Sequence, residues 1–248
     1  MTSWQPLDCH AHTTLSDGAL PPEQLVERVR ARGVRPSISD HISTDIALAI
    51  KSIVGARDYL DEIEPLDVGR AGEFCFHDPL WRQLPDDVMA RFTHRIGSLH
   101  SVRLANGVWV HAFAQRLPEG VTLPVYLDGY ITTLEWFARE MPVDILAHPT
   151  LMTTAVRRLP PEDVWTEALE ERVVEAVYAA GIAFEVSSRY RPHRRLVERA
   201  VQRGVRVSLG SDGHRPEQVG DIAFSLELTR SLGVPDAELY DPAVHGRR

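Results

Sequence analysis

Residues Glu167–His214 read EALEERVVEAVYAAGIAFEVSSRYRPHRRLVERAVQRGVRVSLGSDGH. Apolar residues recur at helical spacing through Leu169, Val173, Ala176 and Ala180 and stop at Gly181, a residue type that ends helices because it enters the left-handed region without a steric penalty. A β-rich run, Ile182–Val186, follows at once. Leu196 and Ala200 mark a second helix closed by Gly204, and Val205–Ser211 a second strand that runs into Asp212-Gly213-His214. Strands alternating with helices of this length predict parallel pairing through right-handed crossovers.

The same rhythm extends to the N-terminus. Further strands are predicted at Trp4–His10, Val34–Asp40, Leu66–Phe76, Phe92–His100 and Val143–His148. Between them, Leu25 and Val29 mark a helix with Pro21 and Pro22 at its start and Gly33 past its end. Ala49, Ile53, Ala56, Leu60 and Ile63 mark another, and Leu127, Ile131, Leu134 and Ala138 a third. Seven such strands fit either a closed barrel or an open doubly wound sheet. No G-x-G-x-x-G or P-loop pattern follows any strand, which weakens a nucleotide-binding open sheet. Ser101–Gly120 breaks the rhythm and reads as a hairpin, with Asn106-Gly107 as a type I′ turn. No linker, repeat or low-complexity segment divides residues 1–248, so a single domain is expected.

Composition narrows the function classes. Apolar residues make up 44% and charged residues 25%, ordinary for a globular protein. No apolar run approaches the roughly 20 residues that span a bilayer. Met1–Asp8 lacks a basic region followed by an apolar stretch, so a cytoplasmic protein is expected. The two cysteines, Cys9 and Cys75, are too few for a disulfide framework and are expected to be small buried thiols, with a metal-bound thiolate the alternative. A net charge of −8 disfavours long nucleic acids but leaves room for a small phosphorylated substrate. Lys51 is the only lysine, so any single Arg is weak evidence for a binding role.

The histidines carry the chemistry. His10 and His12 close the first predicted strand as H-x-H and point to one side of it. His41 follows the second, Glu73 lies near the end of the third, His100 ends the fourth and His148 the fifth, and Asp212 and His214 follow the seventh as D-x-H. Asp17 lies in Ser-Asp-Gly after the first. Each motif alone has a bland reading: a turn histidine at His148, a loop or helix cap at Asp212. In a β/α barrel, however, the carboxyl ends of all strands meet at one mouth. Six imidazoles and three carboxylates gathered there would repel and desolvate one another unless cations joined them. Imidazole with carboxylate suits Zn, Mn or Fe and is too nitrogen-rich for Ca or Mg. His77, His94, His111, His193 and His245 fall outside the pattern, although the hairpin carrying Trp109 and His111 follows His100 and could reach the mouth.

Asp8-Cys-His10-Ala-His12-Thr13, Ser16-Asp17-Gly18, Asp40-His41, Gly72-Glu73, Gly97-Ser-Leu-His100, Ala147-His148-Pro149 and Gly210-Ser-Asp212-Gly-His214 resemble, in order, the motifs of the PHP (polymerase and histidinol phosphatase) domain family. The resemblance runs from about residue 7 to 225 and is nearest to the stand-alone histidinol-phosphatase-like branch. It implies a distorted seven-stranded, TIM-like β/α barrel with three divalent metals at the carboxyl ends of the strands. It implies His10, His12, Glu73 and Asp212 on the first metal, Glu73, His100 and His148 on the second, and Asp17, His41 and His214 on the third. The family's Glu-x-Asn after strand six reads Glu185-Val186-Ser187 here, which puts substrate contacts at that point in doubt.

On this reading the chain is a hydrolase of small phosphomonoesters. A hydroxide bridging the metals would attack phosphorus in line. Asp212 and Glu73 would anchor the ions and orient it, and Asp40 or a metal-bound water would protonate the leaving alcohol. Asp8, in register with His10 and His12, would support a ligand from behind. Arg189, Arg157 and Arg191 are the candidates to hold the phosphate. The alternatives are a phosphodiesterase or exonuclease acting on nucleotides or nucleic-acid ends, a non-catalytic metal-binding module, and C–N hydrolysis of the amidohydrolase sort. The last would want a carboxylated Lys, and Lys51 is predicted on an outer helix.

Overall fold

The computed structural model describes residues 4–245. Helix α1 (Pro22–Ala31) begins with a proline, whose missing N–H is no loss in a first turn, and buries Leu25, Val26 and Val29; Gly33 follows it at φ 73°. The strand pieces β1 (Ser37–Ile38) and β2 (His41–Ile42) come next. Helix α2 (Ile53–Ile63) is capped by Ser52, whose side chain accepts the Gly55 N–H at 3.0 Å. That cap starts the helix later than the apolar spacing predicted: Ala49 lies before it, and Lys51 is an exposed residue ahead of the helix rather than on it.

Strands β3 (Gly69–Arg70) and β4 (Glu73–Cys75), a turn of helix α3 (Asp86–Met89) and strand β5 (Ile96–Ser98) lead to the hairpin β6 (Ser101–Arg103) and β7 (Trp109–His111). Helix α4 (Leu123–Glu140), strand β8 (Ile145–Leu146) and the single turns α5 (Thr154–Arg157) and α6 (Pro161–Val164) follow. The opening sequence stretch forms α7 (Glu167–Ala180), β9 (Ala183–Ser187), α8 (Arg194–Arg203) and β10 (Val207–Gly210), with Gly181 and Gly204 both left-handed at the helix ends. Helices α9 (Ala223–Ser231) and α10 (Pro242–His245) complete the described chain.

The architecture is α/β. Six strands pair in the order β10-β9-β8-β5-β4-β2, every pairing parallel. The β1–β3 pair continues the β2–β4 seam, since Ser37 opposes Gly69 as His41 opposes Glu73. The strands are shorter than their apolar runs. Leu66 closes a 3-10 turn instead of opening a strand, and Phe92 precedes β5 by a loop.

The predicted first strand, Trp4–His10, is absent as a ladder. Its residues are extended chain whose backbone bonds alternate between two neighbours. On one side Asp8 N–H donates to the Arg35 carbonyl (3.0 Å) and Ser39 N–H to the Ala11 carbonyl (2.9 Å); on the other Cys9 N–H donates to Leu209 (2.9 Å) and Asp212 N–H to His10 (2.7 Å). The pairing on each side is an isolated bridge, at Leu7–Arg35 and at Ala11–Gly213.

Two apolar clusters result. The larger joins the helices to the outer faces of the strands. The smaller holds Leu7, Cys9, Ala71, Ile96, Ile145, Ala147, Ala183 and Tyr240, residues contributed by successive strand segments and one C-terminal side chain. The hairpin turn differs from the expected type. Gly107 has φ 86°, but Asn106 is not left-handed, and the Leu104 carbonyl accepts the Gly107 N–H while Leu104 N–H donates to Val108. That is a tight turn followed by a glycine bulge rather than a type I′ turn, which needs two left-handed residues. No helix among the described residues is long and apolar enough to cross a membrane.

Candidate metal centre

The carboxyl ends of the strands gather the ligand-type residues in one place. His10 and His12 leave the extended 6–12 segment, His12 N–H donating to the Gly213 carbonyl at 3.0 Å. Asp8 locks this junction. Its carboxylate accepts from the Ser211 N–H (2.8 Å), the Ser211 hydroxyl (2.6 Å) and the His10 N–H (3.3 Å), and burial raises it to about 6 despite those bonds. His41 and Glu73 lie inside the parallel seam, directly opposite each other, rather than beyond the strand ends. His100, His148, Asp212 and His214 follow β5, β8 and β10.

Two ligand-type residues are held in a backbone conformation that L-residues avoid: His148 has φ 30° and Asp212 has φ 49°. Strain of this kind persists only where the surroundings over-determine it. At His148 the surroundings are the Glu185 carboxylate, which accepts its N–H, and the Tyr130 hydroxyl, which donates to the next carbonyl, Pro149. Asp17 reaches the centre through the turn at Gly18, where a Cβ would lie 2.2 Å from the His12 carbonyl oxygen.

Glu73 is the hub. It is buried, and its Oε2 lies 3.3 Å from His10 Nε2, 3.4 Å from His12 Nε2 and 2.9 Å from His41 Nδ1. Its Oε1 lies 3.2 Å from His100 Nε2 and 3.0 Å from His148 Nε2. Burial alone would raise the Glu73 carboxyl, but His41, His100 and His10 hold it well below the usual carboxylate range. Burial with His214, His41 and His10 alongside drives His12 well below the usual imidazole range, so it is neutral, the form that binds metals. His10 and His100 go the other way. Burial would lower both, but Glu185 and Glu73 raise His10, and Cys75 and Glu73 raise His100.

The residues fit metal ions. His10 Nε2 and His12 Nε2 face each other at 3.1 Å, and the buried His12 Nδ1 and His41 Nδ1 have no hydrogen-bond partner; the 2.9 Å approach of His41 Nδ1 to Glu73 lacks hydrogen-bond geometry. Donor atoms cluster as His10, His12 and Asp212, as His41, Glu73 and His100, and as His12, Asp17, His41 and His214. These groups overlap the sharing implied by the sequence resemblance without matching it. His12 joins the Asp17 group, His41 joins Glu73 and His100, and His148 stands outside the three groups, with its Nε2 on Glu73 and its ring against His100.

Sequence reasoning missed the residues behind the ligands. Glu185, wholly buried on β9, accepts from His10 Nδ1 at 2.8 Å with one oxygen and from the His148 N–H with the other. Cys75 Sγ lies 3.1 Å from His100 Nδ1. Each leaves the opposite ring nitrogen aimed at the centre, the usual role of such partners. The available signal was the charge at Glu185 in the middle of an otherwise apolar strand. Asp40, expected to give a proton to the leaving group, does not line the cavity. Its buried carboxylate accepts from the Thr13 N–H (2.8 Å), the Thr13 hydroxyl (2.6 Å) and the Ser16 hydroxyl, and so fastens the 13–18 loop.

A cavity of about 280 Å³ opens over the centre between His214, His148, Phe113 and Arg189. Arg189 NH1 lies 3.3 Å from Asp212 Oδ1 and 2.6 Å from His214 Nδ1. Arg157 and Arg191 do not line this cavity; their Nε atoms donate to the Met152 and Ser188 carbonyls in a neighbouring groove. His111 lines the rim, as does Asp45, which pairs with His77 at 2.7 Å. His94 is buried beside the Cys9 carbonyl, His193 pairs with Glu170, and His245 lies in α10.

No family model matches the sequence, and a search of curated proteins returns no match. Among solved structures the chain is similar to a candidate metal-dependent phosphoesterase from Bifidobacterium adolescentis, at 17% identity and TM-score 0.38 over 98% of this chain and 99% of that one. It is also similar to an uncharacterized protein, at 12% identity and TM-score 0.49 over 98% and 74%. A third is the carboxyl transferase domain of Rhizobium etli pyruvate carboxylase, at 12% identity and TM-score 0.45 over 96% and 42%. At these scores the functional reading rests on the site itself.

Proposed function

We propose that the chain is a metal-dependent phosphoesterase acting on a small phosphomonoester, built as one seven-segment β/α barrel that residues 6–12 close. The observation that carries the function is Glu73, a buried carboxylate touched by five imidazoles, two of which keep a buried nitrogen without a hydrogen-bond partner. Protons satisfy that arrangement poorly, because imidazolium rings would repel one another at separations of 4.5–5.8 Å. Divalent cations satisfy it directly. The barrel is supported by the bonds of residues 6–12 to both 35–39 and 209–213 and by the smaller apolar cluster beneath the ligands. The donor residues of this centre come from the PHP-like motifs of the sequence.

Following the sharing that the sequence resemblance implies, three ions would be held by His10, His12 and Asp212 with Glu73, by His100 and His148 with Glu73, and by Asp17, His41 and His214. The donor set suits Zn, Mn or Fe. Bound there, the ions would supply Lewis-acid charge to phosphoryl oxygens and a water of lowered pKa. The chain supplies the rest. Glu185 and Cys75 hold the Nδ1 protons of His10 and His100, which keeps their Nε2 lone pairs inward. Arg189, beside Asp212, donates to a non-bridging phosphate oxygen. Phe113 and Tyr190 wall the cavity against bulk water.

The test measures metal content in the purified protein, then hydrolysis of p-nitrophenyl phosphate and bis(p-nitrophenyl) phosphate with and without chelator. Chelator and His10→Ala should each abolish monoester turnover. Turnover indifferent to both overturns the proposal, and a faster diester replaces it with the phosphodiesterase reading.

A further inference from the structure

The cavity over the centre, about 280 Å³, sits at the small end of ligand sites, which span about 300–1,000 Å³. A second groove of about 310 Å³ adjoins it, and the two share Arg189 and Tyr190 as lining residues. The Tyr190 ring is the partition. It meets His148 edge-on at 5.3 Å between centroids on the metal side, and the Arg157 guanidinium lies 5.6 Å from its centroid on the groove side.

The groove has one sign of charge. Arg157, Arg189 and Arg191 line it, and no carboxylate does among the described residues. Arg157 and Arg191 form no ion pair among the described residues; each spends its Nε on a backbone carbonyl, and Arg157 NH2 also donates to the Thr154 hydroxyl at 3.1 Å, which fixes the guanidinium without a carboxylate. By contrast the groove's His193 is answered by Glu170. The floor is apolar, with Val164 and Trp165 buried.

We propose that the leaving group of the substrate carries a second anionic group, a carboxylate or a phosphate, on an apolar or planar stem that passes Tyr190 and ends between Arg157 and Arg191. This rests on the phosphoesterase reading above and narrows it. It also disfavours a leaving group bearing an ammonium, which would meet the Arg157 and Arg191 guanidinium groups with no carboxylate between them.

A matched series tests it: phenyl phosphate, 4-carboxyphenyl phosphate, 1,4-phenylene bisphosphate and 4-(aminomethyl)phenyl phosphate, each with the metal-loaded protein. The carboxylate or the bisphosphate should exceed phenyl phosphate in kcat/KM by about tenfold, mostly through KM, and the amine should fall below it. Whichever anion wins identifies the source. Arg157→Ala with Arg191→Ala should bring the preference ratio close to one, while Arg158→Ala, outside the groove, keeps it. Equal turnover of all four esters, or a preference that survives the double variant, overturns this inference alone. No turnover of any ester overturns the phosphoesterase reading and this inference with it.

Discussion

The Glu185 carboxylate occupies the space that a side chain at residue 210 would need: a Cβ on Gly210 would lie 2.0 Å from Glu185 Oε1 and 3.1 Å from His10 Cβ. Glycine at that point of β10 is therefore the condition for Glu185 to reach His10 Nδ1 at 2.8 Å. Gly210→Ala should push Glu185 off His10 and weaken metal binding by about 10–100-fold, and Glu185→Gln should act in the same direction without a clash. Chelator competition reads the affinity. Unchanged affinity in both variants would show that His10 does not depend on its rear partner.

Cys75 should act on His100 as an acceptor rather than as a reactive thiol, because it is fully buried against Nδ1. Cys75→Ser keeps an acceptor and Cys75→Ala removes it. The alanine variant should lose metal affinity by about tenfold more than the serine variant. Equal losses would assign Cys75 to packing alone.

Asp40→Asn should cost stability rather than chemistry. Three donors converge on the buried carboxylate, and an amide turns one acceptor into a donor facing them. The expected loss is about 2–3 kcal/mol, hence roughly 5–10 °C in Tm for a chain of this size. With metal saturating, kcat should change only a few-fold. A loss of kcat with Tm unchanged would restore Asp40 as a proton donor.

Metal should stabilise the fold measurably. Ions that bind only the folded state at about 100 times Kd add about 2.7 kcal/mol per site, so chelation should lower Tm by roughly 5–10 °C or more. Differential scanning calorimetry with and without chelator checks this, and no shift would contradict a metal centre.

Away from the centre, Glu170 on α7 holds three side chains of the next helix region: His193 Nε2 at 2.6 Å, Arg195 NH2 at 2.9 Å and Arg199 Nε at 3.4 Å. Burial would raise its carboxyl, but hydrogen bonds from Arg195 and His193 hold it below the usual 4.5. A lowered carboxyl stabilises the fold above its unfolded value and loses that contribution as pH falls through the folded value. The Tm difference between wild type and Glu170→Gln should therefore be steady above about pH 5 and shrink below about pH 4. A difference that grows on acidification would reverse the assignment.

Much of the centre was legible because strand ends in a parallel sheet converge, so His10, His12, His148 and Asp212 announce themselves by position. Helix ends were legible at Gly33, Gly181 and Gly204 because only a left-handed residue closes those helices. What pattern could not give was partnership. Asp40 and Glu185 are both buried carboxylates next to ligand motifs, yet one faces hydroxyls of a loop and the other an imidazole, a difference fixed by contacts across more than twenty residues of chain. The 6–12 segment misled for a related reason. Its composition is that of a strand, and it does bond residues near 35 on one side and residues near 210 on the other, but only through isolated bridges.

That division has a consequence for biosynthesis. His10 and His12 are made well ahead of the carbonyl and amide partners that seat their segment, Leu209, Asp212 and Gly213, which lie on the far side of every helix and strand from α1 to β9. Those two ligands must wait, unseated, until residues 209–213 have been made. Nascent chains stalled short of that point should capture no metal with native affinity, and closing so long a loop should make the centre one of the slowest parts of the molecule to mature.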